Sequence, residues 1–149
     1  MEDRFEVAKF VAKSGLAHVT SRDYVGMVKT VIVPGSEAKQ YNVILRRGLG
    51  YIAAECQLLT GGGAIPCEGG RETLCRHSIA AIIVAALDKG KVVSFAKDEK
   101  AANKLMNFGG MLVSAWSVYR PTKRFYFIVK GAAVPARSEK EIMTELGFS

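Results

Sequence analysis

The most informative part of this chain is the stretch CRHSIAAIIVAALDKG, at positions 75–90. It begins with Cys75 and His77, two side chains that can bind a metal, and continues as an unbroken apolar run. That run is shorter than the ~20 residues that a membrane span requires, and charged Asp88 and Lys89 end it. The stretch therefore predicts a buried, alanine-rich helix with a metal-binding amino terminus.

Two further cysteines lie upstream of this helix and complete a set of four metal ligands. Cys56, Cys67, Cys75 and His77 follow the spacing C-x10-C-x7-C-x-H. Three thiolates and one imidazole suit a tetrahedral zinc ion and fill every position of a closed structural site. The helix also directs the positive end of its dipole at a cluster that has a net negative charge with zinc bound. These residues therefore predict one structural Zn2+ and no catalysis at the metal.

Two other interpretations of the cysteines are open. Unpaired cysteine is often buried as a small apolar residue, so all three could belong to a core while His77 caps the helix. Alternatively, Cys75 and His77 could form a nucleophilic pair, although two near neighbours at a helix start direct their side chains apart. The three cysteines cluster within twenty residues, beside one of only two histidines, and this favours zinc. We expect the other histidine, His18, to be an ordinary polar residue.

Three β-favouring segments precede the cysteine cluster. They are Met27–Val33, Gln40–Arg46 and Tyr51–Leu58. Because the turns between them are short, we expect an antiparallel meander. The next segment, Thr60–Gly70, carries five glycines, and we expect a flexible loop unless a metal bound at Cys67 holds it in place.

The rest of the chain completes a small α+β domain, with further helices around the central one. Asp3 and Glu6 resemble a helix capping box and Gly15 suits a left-handed helix end, which predicts a first helix over Arg4–Ser14. Elements predicted after residue 90 are a strand at Val92–Phe95, a helix at Asp98–Phe108, a hairpin with arms at Met111–Tyr119 and Arg124–Val129, and a terminal helix at Glu139–Leu146.

The absence of a long linker indicates one domain over residues 1–149. Within it we expect a zinc-binding core at about 40–87 and an extension of one helix and one β-hairpin at about 91–130.

The motif CRHSIAA, at positions 75–81, closely resembles the C-x-H-x-x-A signature that closes SWIM zinc fingers. In that family a β-hairpin brings in the first two cysteines, and an alanine-rich helix follows the histidine. The resemblance covers about residues 40–87, roughly a third of the chain. It implies that Cys75 and His77 are the last two zinc ligands, and that Cys56 and Cys67 are the first two.

The spacing of the first two cysteines departs from the SWIM pattern. Ten residues separate Cys56 from Cys67, where the family usually has C-x-C. We interpret Gln57–Pro66 as an insertion whose glycines let the chain turn back toward the metal. Because SWIM fingers are associated with binding DNA or protein, the resemblance implies a binding module without identifying its partner.

An excess of positive charge is a second functional indication. The chain has 21 Lys and Arg against 14 Asp and Glu, a formal net charge of +7 that favours polyanions. Four arginines are expected around the metal site, where they could bind phosphates or offset thiolate charge, and two basic residues accompany aromatic side chains in the second hairpin. These candidate nucleic-acid contacts are Arg46, Arg47, Arg71, Arg76, Lys123 and Arg124.

Together these patterns predict a non-enzymatic zinc finger that binds nucleic acid, with DNA as the first candidate. The alternative is a zinc-stabilised adaptor that binds another protein. We expect neither a secretion signal nor a membrane span, because charges interrupt the amino terminus and no apolar run is long enough. The cysteines suit a reducing cytoplasm, and no small-molecule substrate is expected.

Overall fold

The structure is a computed structural model that describes residues 2–48, 51–91, 93–96, 100, 101, 104, 111–119, 125–129 and 144. Three helices and eight strands have described bounds in this part of the chain, which confirms the predicted α+β class. In chain order they are α1 (Glu2–Lys13), β1 (His18–Arg22), β2 (Val28–Pro34), β3 (Gln40–Gly48), β4 (Tyr51–Thr60), β5 (Gly63–Pro66), α2 (Glu68–Glu72), α3 (Arg76–Asp88), β6 (Val93–Ala96), β7 (Met111–Ser117) and β8 (Phe125–Val129).

All eight strands belong to one sheet. Its order is β1-β2-β3-β4-β7-β8-β6, and β5 pairs with the end of β4. Neighbouring strands are antiparallel except for β4 and β7, which run parallel. The predicted meander of three strands is confirmed as β2, β3 and β4. The sequence did not predict β1 or the parallel contact.

Helix α3 is the centre of the main core. It packs against β2, β3 and β4, and α1 packs against α3. Small alanines let the helix approach its neighbours closely, and each fully buried isoleucine contributes about 1.5–3 kcal/mol relative to exposure. The predicted buried helix is confirmed by its buried residues, which are His77, Ser78, Ile79, Ala80, Ala81, Ile82, Ile83 and Ala85.

Strand β4 is buried on both faces near its start, as expected for a strand in the middle of a covered sheet. One face carries Ala54 and Cys56, which belong to the core around α3. The other face carries Tyr51 and Ala53, which form a second buried cluster with Trp116 of β7. Ala53 lies opposite Trp116 in the parallel ladder, so this cluster joins the later strands to the meander.

The two local predictions for α1 have different outcomes. Gly15 follows the helix with φ 76°, so it is the left-handed residue that the sequence predicted. The predicted capping box at Asp3 and Glu6 is wrong. Helix α1 already begins at Glu2, which places Asp3 within the first turn and not in front of it.

The glycine-rich segment Thr60–Gly70, for which the sequence predicted a flexible loop unless a bound metal held it, forms regular secondary structure through its own backbone. Gly63–Pro66 forms β5, which pairs with the end of β4, and Glu68–Glu72 forms the short helix α2. Backbone hydrogen bonds therefore supply order that we had expected only from a bound metal.

The structure describes only some of the residues for which elements were predicted after residue 90. The second hairpin is confirmed as β7 and β8, and β6 matches its predicted position within one residue. The two later helices lie mostly outside the described residues, and the described members, which are all helical, are Lys100, Ala101, Lys104 and Thr144. Among the described residues, no helix has the length and apolar character needed to cross a membrane.

Candidate metal centre

The four predicted ligands converge at the amino end of α3. Their ligand atoms all lie within 4.8 Å of one another, and all four residues are buried. His77 Nδ1 lies 3.8 Å from Cys56 Sγ and 3.7 Å from Cys67 Sγ. The cysteines are free thiols. Strand β4, the junction between β5 and α2, and the start of α3 thus build one candidate metal centre.

The hairpin of β4 and β5 explains how the long gap between Cys56 and Cys67 closes. Gln57 pairs with Pro66, so the chain runs outward and returns in register. The amide of Cys67 then donates a 2.9 Å hydrogen bond to the carbonyl of Cys56. The intervening residues project as a two-stranded arm, and the two thiols remain side by side at its base.

Helix α2 brings its backbone close to the thiols. A Cβ added at Gly70 would lie 3.4 Å from Cys56 Cβ and 3.7 Å from Cys75 Sγ. Ser117 of β7 donates a hydrogen bond to the carbonyl of Gly70, which ties α2 to the sheet. A side chain larger than alanine at Gly70 would therefore enter the space around the thiols.

Cys75 is both a candidate ligand and the N-cap of α3. Its sulfur accepts a 3.4 Å hydrogen bond from the amide of Ser78, and Ser78 Oγ lies 3.3 Å from the same sulfur. Sulfur here replaces the side-chain oxygen that usually satisfies an amide in the first helical turn. This amide and the helix dipole both favour a negative charge on Cys75.

The imidazole of His77 is held by an aromatic neighbour. The ring of Tyr41 on β3 stacks on it, with centroids 3.7 Å apart and 14° between the planes. Gly35, between β2 and β3, approaches the same pair, since a Cβ there would lie 2.4 Å from Tyr41 Cε2. His77 presents Nδ1 to the thiols, while its buried Nε2 has no hydrogen-bond partner among the described residues.

Charge is unevenly distributed within the cluster. Hydrogen bonds to Cys56 and Cys67 hold the pKa of Cys75 far below its usual value. Hydrogen bonds to the other two cysteines, together with burial, raise the pKa of Cys56. Burial lowers the pKa of His77, but hydrogen bonds to Cys67 and Cys75 outweigh burial, so the net direction is upward. The surroundings therefore favour a thiolate at Cys75, and a bound cation would stabilise negative charge on the other sulfurs.

The donor set fits a tetrahedral metal that prefers sulfur. With bond lengths of about 2.3 Å to sulfur and about 2.1 Å to nitrogen, tetrahedral ligands S and N stand about 3.6 Å apart. The two measured separations from His77 Nδ1 are close to that value. All four ligand atoms lie within 4.8 Å of one another, against about 3.8 Å between sulfurs in the same geometry, so small side-chain rotations would close the site.

No model of a known family, no curated protein and no solved structure matches this chain. The resemblance of the CRHSIAA motif to SWIM fingers therefore stays a prediction. The geometry of the candidate metal centre stands independently of that resemblance, because it depends only on the positions of the four side chains.

The predicted basic residues do not share one surface. Arg71 on α2 and Arg76 at the start of α3 are exposed beside the metal centre. Arg46 lies opposite Ala53 in the ladder of β3 and β4, on the sheet face away from the ligands, and pairs with Glu55 at 3.3 Å. Lys123 and Arg124 lie outside the described residues.

Arg47 also lies away from the metal centre. It donates a hydrogen bond to the carbonyl of Val28. Burial lowers the pKa of its guanidinium and outweighs the nearby charges of Asp23 and Asp88, which raise that pKa. Asp88 ends α3, about 18 Å along the helix from Arg76. The prediction that Arg46 and Arg47 surround the metal is therefore wrong. Strand alternation places Arg46 on the opposite sheet face from the ligands, and Arg47 lies further along the strand, away from the level of Cys56.

Two residues near the site were not found from the sequence. Arg4 of α1 donates a 3.0 Å hydrogen bond to the carbonyl of Leu74, directly before Cys75. Nothing local relates Arg4 to a residue 70 positions away. Tyr41 could have been found by strand alternation, because it stands two residues before Val43, the cross-strand partner of Cys56.

Proposed function

We propose that Cys56, Cys67, Cys75 and His77 bind one Zn2+ that has a structural role. The observation that carries this proposal is the convergence of three free thiols and one imidazole in a buried space. Such a set occupies all four positions of tetrahedral zinc and leaves none for water or substrate. This closed coordination supports a non-catalytic role for the metal, and we propose that the protein is not an enzyme.

The metal would cross-link three separate elements. Cys56 belongs to β4, Cys67 follows β5, and the last two ligands begin α3. Zinc held by all three would fix the base of the β4–β5 arm and the entry into the central helix. Since ligands must lose protons to bind, zinc binding should release protons and weaken in acid.

We further propose that the zinc-stabilised domain binds nucleic acid, with DNA as the first candidate. Arg71, between Cys67 and Cys75 in sequence, and Arg76, between Cys75 and His77, are both exposed, and the whole chain carries a net charge of +7. The resemblance to SWIM fingers supports the same role. Two cations held on helices beside a rigid metal centre suit contacts to phosphates, which position a protein without selecting a sequence.

The metal is tested by elemental analysis of protein purified without a histidine tag. One zinc per chain is expected, and well under half an equivalent after careful protection of the thiols would contradict the proposal. Substitution by cobalt(II) gives a second measurement, because tetrahedral thiolate ligation changes the visible absorption of that ion.

Nucleic-acid binding is tested by affinity titrations at several salt concentrations. For duplex DNA, each phosphate contact contributes about −0.9 to the slope of log affinity against log salt. Changing Arg71 and Arg76 to Gln should reduce that slope, whereas Arg46→Gln is the matched control because Arg46 pairs with Glu55 on the other sheet face. A separate variant of Lys123 and Arg124 tests the predicted hairpin contacts. If the wild type and all variants give the same slope of log affinity against log salt, the proposed nucleic-acid surface is refuted.

A second candidate function is an adaptor that binds another protein. It is favoured by exposed apolar side chains on and after α1, since Phe10 is 68% exposed and Leu16 is 50% exposed. An apolar protein interface loses little affinity as salt rises, unlike phosphate contacts. Absence of binding to single- or double-stranded probes at about 50 mM salt would favour the adaptor.

A further inference from the structure

A cavity of about 280 Å³ lies beside the metal centre, between α1, β2 and the start of α3. One end is polar and includes Ser36, Arg76 and His77. The remaining wall is mainly apolar and consists of Val7, Ala8, Val11, Leu16, Val33, Pro34, Gly35 and Ala80. A mostly apolar cavity with a few polar groups at one end is typical of a site for a small amphipathic molecule.

The polar end contains a hydrogen-bond donor that lacks an acceptor. His77 is only 7% exposed, and within the described part of the chain its Nε2 has no partner. With a metal on Nδ1, the proton of the ring must reside on Nε2. Metal-binding histidines almost always donate this second N–H to an acceptor, and the described residues supply none for His77. This step rests on the proposed metal centre.

Positive charge accumulates at the same end. Arg76 is exposed and lines the cavity, so its guanidinium can turn toward an anion there. The amino terminus of α3 already favours the negative charge on Cys75, so Arg76 supplies the positive charge of this cavity. The bound group should therefore be an anion that accepts hydrogen bonds.

We propose that this cavity binds a small carboxylate with a short apolar tail. The carboxylate would accept hydrogen bonds from His77 Nε2 and Arg76, and the tail would lie along α1. The cavity has room for roughly nine groups of water size, at about 30 Å³ each. That volume suits a free carboxylate of the size of hexanoate and is too small for a folded peptide segment.

Entry of the ligand requires a small backbone movement. His77 Nε2 is buried beneath Gly35, where an added Cβ would lie 3.5 Å from that nitrogen. The segment of Gly35 and Ser36 must therefore shift outward when the carboxylate reaches Nε2. This backbone movement should change the NMR signals of Gly35 and Ser36, which non-specific binding of hexanoate to the protein surface would not do.

The neighbouring cavity, of about 440 Å³, is a poorer site for this ligand. It shares Arg76 and His77 and adds Arg4, but Glu68 also lines it. A carboxylate there would meet the negative charge of Glu68, whereas the described lining of the smaller cavity includes no acidic side chain. The smaller cavity is therefore the one that we assign.

The test is an NMR titration of the isotopically labelled full chain with hexanoate. Two probes of matched chemistry serve as controls, because 1-hexanol lacks the charge and acetate lacks the tail. Hexanoate should bind at least about tenfold more tightly than either. Its saturable shifts should centre on the amides of Gly35 and Ser36 and on the imidazole N–H of His77.

Matched variants separate this site from general attraction to a basic protein. Arg76→Gln should weaken hexanoate at least about tenfold without affecting 1-hexanol, whereas Arg71→Gln, which lines neither cavity, should leave both unchanged. Equal affinity for hexanoate and 1-hexanol, or equal weakening by both variants, would overturn the inference.

Zinc analysis of the same samples keeps the two proposals distinguishable. Protein that contains zinc but gives no saturable hexanoate shifts refutes the carboxylate site alone. Protein without zinc that still binds hexanoate through Arg76 refutes the metal centre, and with it the role of a metal in placing the proton on His77 Nε2, but supports the Arg76 half of the carboxylate site.

Discussion

Removal of the metal by a chelator should lower the melting temperature by about 8–16 °C. Zinc that binds only the folded chain, at about 1,000 times its Kd, raises the free energy of unfolding by about 4.1 kcal/mol. In a chain of 149 residues each kcal/mol corresponds to about 2–4 °C. The separations of 3.7 and 3.8 Å between His77 Nδ1 and two sulfurs already approach zinc geometry, so rearranging the site should consume little of this energy.

The assay is thermal unfolding followed by circular dichroism, before chelation, after chelation and after zinc is added back. Cys75→Ser is the control, because a chain with an incomplete ligand set should melt lower and show little further response to the chelator. Cys67→Ser should behave in the same way, since the β4–β5 hairpin places Cys67 beside Cys56. If metal is removed and the wild-type melting temperature does not change, the cysteines are ordinary core residues and the reasoning is refuted.

Three further predictions concern the surroundings of the site. Gly35→Ala should speed zinc loss to a chelator, because its Cβ would lie 2.4 Å from Tyr41 Cε2 and must displace the ring that stacks on the ligand histidine. Ala38→Gly should stabilise the chain by about 0.5–1 kcal/mol in urea unfolding, because Ala38 has φ 60° and glycine adopts that conformation without steric cost. Asp88→Asn should slightly lower the melting temperature at neutral pH. The hydrogen bond from Arg22 lowers the pKa of Asp88, so this stabilisation is complete above the unfolded-state pKa of about 3.9 and disappears as the pH falls through the lower folded-state value.

The ligand cluster could be predicted because its chemistry is visible in residue types alone. Three cysteines and a histidine near a helix start need no knowledge of tertiary structure to suggest one metal. The path between Cys56 and Cys67 could not be predicted in the same way. The sequence of β5, GAIP, contains glycine and proline and lacks alternation, and all four of its residues are exposed, so only its pairing with β4 makes it a strand.

For the arginines, the sequence shows the charge but not its position in the fold. Their charges are evident from the sequence, but the surface that each one occupies depends on register. Arg46 and Arg47 are neighbours in β3, yet alternation sends them to opposite faces, and each is engaged by another part of the chain. Arg71 and Arg76 could be placed beside the metal because each stands within four residues of a ligand.

The place of the cysteines in the core indicates what the metal adds to this fold. Cys56, Cys67 and Cys75 belong to the same buried cluster as the apolar face of α3, so the metal centre is continuous with the main core. A chain of this length can bury a core without a metal, and the sheet carries its own backbone hydrogen bonds. Zinc should therefore act locally, by holding α2 and the start of α3 against β4. That restraint fixes Arg71 and Arg76 relative to each other, and loss of zinc should weaken any binding through them before it unfolds the sheet.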